Sequence, residues 1–305
     1  MSAPGRPVRL APRRLVKSRP GRWLVGTSAG RWALTQRRHA AARAEARREP
    51  ARFTDLHTCC LFLGHVKSGG SLLGAMIDAH PAAAIADEID VAAQVAAGLT
   101  RDEVFHLLVR GARREAGNGR VTARRLEPYS LAVEGQWQGR HARLQVVGDS
   151  RGGPTTRVLG DDPQALTGLR AALAPVRVAF VHVVRNPHEP ISAMVRRSGR
   201  PLAAAVADHR AQCHRLLDLR GRIPPGDLHT VRYERLVADP RRELSGVFAF
   251  LGLPLHPDVL TACAALLRPE PVRDRDRIEW PAEAREAVAA TIADVDFLAG
   301  YGFER

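Results

Sequence analysis

The amino-acid sequence predicts an α/β protein: a mainly parallel sheet with helices on both faces, three layers in all. Three observations predict it. Short apolar runs of strand length alternate with segments whose apolar residues recur at helical spacing. The run VRVAFVHVV, residues 176–184, is apolar almost throughout, as a strand buried on both faces must be. Several strands end on turns of glycine, serine and arginine that lead directly into helices, the rhythm of a βαβ architecture.

In chain order, TDLHTCCLFLG gives a first strand over residues 58–64. A helix follows over 71–79, with Leu72, Leu73, Met76 and Ile77 at helical spacing, and it stops before Pro81. AAIADE is a short second strand that ends on two acids. Residues 91–116 read as helix up to the breaker EAGNG. ARLQVVGDS is a strand and PQALTGLRAALAP a helix, and then comes the buried strand within 176–184. Helices over 189–198 and 201–221 precede the strand LHTVRY. DPRRELSGVFAFLGL is a helix with an aspartate cap and proline near its start, and AEAREAVAATIADVDFLAGYG closes the chain as helix.

A chain of 305 residues buries a sizeable core, and 45% hydrophobic with 26% charged residues is ordinary for a globular protein. No apolar run reaches the roughly 18 residues of a membrane span. The nearest, within 82–99, is interrupted by Asp87, Glu88 and Asp90. WLVGTSAGRWAL is too short and polar for a signal peptide's apolar region. Cys59, Cys60, Cys213 and Cys263 form neither a CxxC pair nor a metal spacing, which points to buried reduced thiols, a cytoplasmic protein and no metal.

The net charge of +14 is unevenly placed. Residues 1–52 carry 14 of the 46 lysines and arginines against two acids, Glu45 and Glu49, so the remainder is nearly neutral. This divides the chain into a basic N-terminal arm, 1–52, partly helical or disordered, and a body, 53–305. The arm either contacts an acidic membrane surface or another anionic partner, placing the protein at the membrane periphery, or is a solvated tail. No specific nucleic acid is expected. Lysine occurs only at positions 17 and 67, so the body's one lysine stands inside a glycine turn.

Ligands of parallel sheets bind at the carboxyl ends of the strands, and four such ends carry polar chemistry here. In GHVKSGGS, glycines permit close backbone approach. The start of the next helix favours an anion, Lys67 adds a point charge, and Ser68 and Ser71 add hydroxyls. In VVRNPHEPISAM, Arg185 closes the buried strand and Ser192 lies in the first turn of the next helix, a second phosphate clasp or else an arginine capped by Glu189. In IADEID, Asp87 and Glu88 are adjacent, so on a strand only one faces a given pocket, where it could act as a general base. A solvated acidic loop is the simpler account of those two residues alone. In VVGDSRGGPTTR, Arg151 sits in a glycine-rich turn and either neutralises developing charge or lies on the surface.

Together these stretches resemble the sulfotransferase family that uses 3′-phosphoadenosine 5′-phosphosulfate (PAPS) as donor, in its bacterial and protein-tyrosine sulfotransferase branches. KSGGS resembles the family's 5′-phosphosulfate loop, VVRNPHEPISAM its 3′-phosphate motif, and YERLVADPRRELSGVFAFLGLP its later signature. The resemblance implies a P-loop nucleotide-hydrolase-like sulfotransferase fold, PAPS as co-substrate and no metal. It implies that Lys67, Ser68, Gly69, Gly70 and Ser71 hold the 5′-phosphosulfate, with Lys67 steadying the bridging oxygen. It implies that Arg185 and Ser192 clasp the 3′-phosphate and that Tyr233 lies near adenine. Glu88 falls at the position of the catalytic base, Arg151 near the transferred group, and Arg275 in a late basic loop anchored by Trp280. Gly70 stands where threonine is usual, Ser192 follows Arg185 by seven residues where the best-known members have eight, and DSRGG has one of two usual cations.

The implied reaction is in-line sulfuryl transfer to a hydroxyl or amine of a small-molecule, glycan or lipid acceptor, whose pocket is expected in residues 91–145 with Tyr129 and Trp137. The alternatives are a P-loop kinase-like phosphoryl transferase, which requires a GK[ST] order absent from this turn, and a non-catalytic homologue or a binding protein acting through its arm.

Overall fold

The computed structural model describes residues 28–49, 52–121, 129–267 and 273–304. The five strands are β1 Thr58–Gly64, β2 Ala83–Ala86, β3 Val146–Asp149, β4 Arg177–Val184 and β5 Leu228–Arg232. They form one sheet in the order β2-β3-β1-β4-β5, and every pairing is parallel. The register brings the carboxyl ends to one edge. Ala86 lies opposite Asp149, Gly64 opposite Val183, and Val184 opposite Arg232.

Twelve α-helices are found among the described residues. They are α1 Ser28–Arg48, α2 Gly70–Asp78, α3 Val91–Ala96, α4 Arg101–Gly117, α5 Gly152–Asp161 and α6 Pro163–Leu173. The chain continues with α7 His188–Ser198, α8 Leu202–Arg222, α9 Tyr233–Ala238, α10 Pro240–Leu251, α11 Pro257–Leu266 and α12 Ala282–Asp294. Alternation along β1 sorts the layers, because successive side chains point to opposite faces. Cys59, Leu61 and Leu63 enter one apolar core with α1, α3 to α6 and α8. Cys60 and Phe62 enter the other with α2 and α9 to α11. Burial on both faces is why β1 and β4 read as continuous apolar runs. The fold class is the one the sequence predicts.

Several boundaries differ from expectation, each for a local reason. The single helix expected over 91–116 is two, because Gly98 takes a φ of +80° and Thr100 starts a new helix. The Thr100 side chain accepts from the Glu103 amide at 3.4 Å, and the Glu103 carboxylate accepts from the Thr100 amide at 3.0 Å, a capping box. The glycine-rich stretch after β3, expected as a turn, becomes α5 from Gly152 onward. The short helices α9 and α11 were not anticipated.

Of the stretch assigned to the basic arm, residues 1–27 lie outside the described residues. Helix α1 does not stand apart: Ala42 is fully buried in the first core. Glu45 pairs with Arg110 on α4 and lies 3.3 Å from His106. Among the described residues no helix is long and apolar enough to cross a membrane. All four cysteines are buried and free; burial pushes Cys59, Cys213 and Cys263 up to about 12, so they are unreactive thiols.

Replacing Thr100 by alanine removes the capping acceptor of α4. The chain should lose about 1 kcal/mol of stability, read as a lowered urea midpoint with an unchanged slope.

Candidate active site

A cavity of about 640 Å³ opens at the carboxyl edge of the sheet. Every strand, or the segment leaving it, contributes to its wall: Lys67, Gly69, Gly70 and Ser71 after β1, Asp87 and Glu88 after β2, Arg151 after β3, Arg185 after β4 and Tyr233 after β5. Eight of the eleven residues singled out in the sequence for donor binding or chemistry therefore meet; Ser68 is a buried neighbour in the same turn.

The turn after β1 is compressed. Lys67 adopts a φ of +71° and Gly69 one of +104°, backbone conformations that glycine tolerates and other residues reach at a cost. Gly69 meets a second demand, since a Cβ there would lie 2.5 Å from Tyr233 Cδ2. The Tyr233 ring thus lies directly on the turn. Above that ring sits the Arg185 guanidinium, 4.4 Å from its centroid, donating to the Lys67 carbonyl at 3.3 Å. Stacking and hydrogen bond together fix three strand ends against one another. Gly70 opens α2, and a Cβ there would come within 3.2 Å of the Ser150 carbonyl. The close approach of the turn after β3 explains glycine at this position. The free N–H groups of the first turn of α2 complete a setting suited to an anion.

The acidic turn after β2 faces this wall. Strand geometry ends at Ala86, and Glu88 and Asp90 both take positive φ, +66° and +63°. The expectation that only one of Asp87 and Glu88 enters the pocket fails for that reason: on a turn they no longer alternate, and both line the cavity. Asp87 accepts from Ser150 Oγ at 3.0 Å. The turn is held from below by Asp149, a fully buried carboxylate whose oxygens accept from the Ile89 amide at 3.2 Å and the Asp90 amide at 2.6 Å. Burial pushes the Asp149 carboxyl up to about 7, against the pull of those two N–H groups. Arg151 stands at the cap position just before α5 and lies 4.0 Å from Asp90.

Two expected residues stand apart from the cavity. Ser192 is fully buried, with its Oγ accepting from Trp280 Nε1 at 3.2 Å. Arg275 is buried, 3.3 Å from Glu189 and bonded to the Phe303 carbonyl. Their directions follow from packing that spacing alone does not reveal: Trp280 fills the space over the start of α7, and Glu189 draws Arg275 inward. Cations that the sequence reading passed over line the wall instead: Arg196 and Arg197 on α7 and Arg277, with Asp274 paired to Arg196 at 2.5 Å. The MVRR sequence, one helical turn beyond Ser192, carried that signal. Trp137 does not line the cavity; its ring lies beneath Arg140, while Tyr129 does contribute, beside Leu72, Leu131, Leu266 and Leu267. Among the described residues no group of three or more histidine, cysteine, aspartate or glutamate side chains is placed to hold a metal ion.

Residues 61–258 match the family model described as "Sulfotransferase family". No curated protein matches the chain. Among solved structures, the chain is similar to the sulfotransferase domain of the Synechococcus PCC 7002 olefin synthase, at 20% identity over 74% of this chain and 82% of that one, with a TM-score of 0.41. It is also similar to sulfotransferase STF9 from Mycobacterium avium, at 10% identity over 84% of this chain and 81% of that one, with a TM-score of 0.48.

The raised pKa of Asp149 has a measurable sign. The folded chain keeps this proton up to about pH 7, whereas the unfolded chain releases it near the ordinary 3.8. The group therefore lowers stability as pH rises through that window and adds no further change above it. Asp149→Asn removes the ionisation. Urea unfolding of both proteins from pH 4 to 8 should show the variant gaining on wild type up to about 7, then a constant difference. A constant difference throughout would place Asp149 in its ionised form.

Proposed function

The chain belongs to the sulfotransferase family, and from that premise we propose that it moves a sulfuryl group from PAPS to a hydroxyl or amine of an acceptor. One observation carries the reading: a glycine turn bearing the body's single lysine, at a helix start after β1, shares one cavity with the acidic turn after β2, on the far side of β3.

The residues fit the donor. Lys67, Gly69, Gly70, Ser71 and the first N–H groups of α2 would receive the 5′-phosphosulfate, with Ser68 shaping the turn from beneath. Arg185 would face the 3′-phosphate, supported by the charge of Arg196 and Arg197, and Tyr233 would lie near adenine. Ser192 and Arg275 are assigned to packing: Ser192 holds Trp280, and Arg275 holds Glu189. In the reaction the acceptor oxygen or nitrogen attacks sulfur while its proton passes to the Glu88 carboxylate. The bond from sulfur to the phosphate oxygen breaks, and the charge left on that oxygen meets Lys67 and the start of α2. Arg151, on the acidic side of the cavity, would balance charge near the transferred group. The apolar wall of Leu72, Leu131, Leu266 and Leu267, with Tyr129, suits an acceptor with an apolar part, whether small molecule, glycan conjugate or lipid. The basic N-terminal segment would bring the protein to an acidic membrane surface or attract an anionic acceptor, and the buried free thiols fit a cytoplasmic setting.

The test uses thermal stabilisation by 3′-phosphoadenosine 5′-phosphate (PAP), with ATP and Mg²⁺ as control. PAP should raise the melting temperature of wild type and of Glu88→Gln equally, and raise that of Lys67→Ala less. Turnover of PAPS should fall in Glu88→Gln by about 10²- to 10⁴-fold. Stabilisation by ATP alone would overturn the reading, and loss of PAP binding in Glu88→Gln would reassign Glu88 to the fold.

A further inference from the structure

The acidic turn is held by more than Asp149. Its residue Ile89 has both backbone polar groups engaged: the amide by Asp149, and the carbonyl by Gln94 Nε2, which donates to it at 3.0 Å. Gln94 lies on α3, and its other amide atom, Oε1, is 2.7 Å from Nε2 of His39 on α1. The identity of each atom follows from chemistry. A carbonyl cannot receive a hydrogen bond from another oxygen without a hydrogen, so Gln94 must turn its NH₂ to Ile89 and its oxygen to His39. His39 must then donate, which places its proton on Nε2. The ring is 7% exposed, and His39 stands about one helical turn before Ala42, which seats α1 in the core. Arg38, the neighbour of His39, lies close enough to Glu88 to feel its charge.

The turn needs such support. Glu88 and Asp90 hold left-handed backbone conformations without being glycine, and such residues persist only where surrounding contacts over-determine them. Of the contacts to Ile89, one comes from β3 and the other from α3. The α3 contact is set by a helix whose sequence reads as a basic tail.

We propose that His39 and Gln94 are positioning residues of the reaction: through the chain His39–Gln94–Ile89 carbonyl, helix α1 fixes the turn that presents Glu88 to the acceptor. The role of Glu88 rests on the sulfuryl-transfer reading, whereas the relay itself rests on the geometry alone. The N-terminal helix thus acts on the active site as well as carrying positive charge. A displacement of the turn by about 1 Å costs on the order of a hundredfold in rate, and it leaves the donor turn after β1 untouched.

The experiment uses the full chain and three variants. His39→Leu removes the donor, Gln94→Glu keeps shape but cannot donate to the Ile89 carbonyl, and His39→Gln restores an N–H near the position of Nε2. Hydrogen exchange of the peptide 87–94 is read by mass spectrometry, alongside the PAP-induced melting shift and the kcat and KM of PAPS turnover with 4-nitrophenol as probe acceptor. Exchange in 87–94 should quicken in His39→Leu and Gln94→Glu, while strands β1 and β4 keep their protection. In the same variants kcat should fall on the order of a hundredfold, with the KM for PAPS and the PAP shift unchanged. His39→Gln should recover most of both losses. Unchanged exchange in 87–94, or a loss of protection spread over the whole sheet that His39→Gln fails to reverse, would overturn the relay. A wild-type chain that PAP does not stabilise would instead overturn the sulfuryl-transfer reading, and exchange would still decide the relay without any donor.

Discussion

Parallel pairing in register is the constraint on which the rest of this structure depends. Because all five strands run the same way and their ends are aligned across the sheet, five unrelated stretches of sequence deliver polar groups to one edge. The apolar price is continuous burial of β1 and β4, which leaves the strand ends as the places where backbone N–H groups and side chains are free to meet a ligand. The side of the cavity that carries Lys67 is then tightened by one contact set, Tyr233 against Gly69 with Arg185 stacked above. The acidic side is tightened by another, Asp149 beneath the turn that carries Glu88.

These two sides obey different physics. The side that carries Lys67 gathers cations and helix N–H groups on a strained but glycine-relieved turn, so it favours an anion by electrostatics. The acidic side spends a buried carboxylate to hold two non-glycine residues at positive φ. Such a buried carboxyl group resists ionisation, and its engagement by two amides gives the turn a defined shape together with a pH-sensitive contribution to stability.

Much of this was legible in the sequence, and the reasons are particular. The run Thr58–Gly64 is apolar on both faces, so its limits were readable to the residue. Lys67 was conspicuous because the body has no other lysine. The capping box at Thr100 was also written in the sequence, yet the helical periodicity on either side of Gly98 masked it. Other features were not legible because spacing says nothing about packing partners. Ser192 lies where a phosphate contact was expected, but Trp280, far along the chain, takes its hydroxyl. Asp87 and Glu88 could not be placed together until the strand was seen to end at Ala86. His39 read as part of a basic tail because its partner Gln94 has no pattern that links the two.

On the proposed reading, the cavity carries a sulfuryl group from one molecule to another. The most direct measurement follows radiolabelled sulfur in PAPS incubated with the full chain and a mixture of phenolic, glycan and lipid hydroxyl acceptors. The account predicts label on an acceptor, with one PAP released for each group transferred. Label that stays on the donor, under conditions where the terminal phosphate of ATP is transferred to an acceptor, would contradict it.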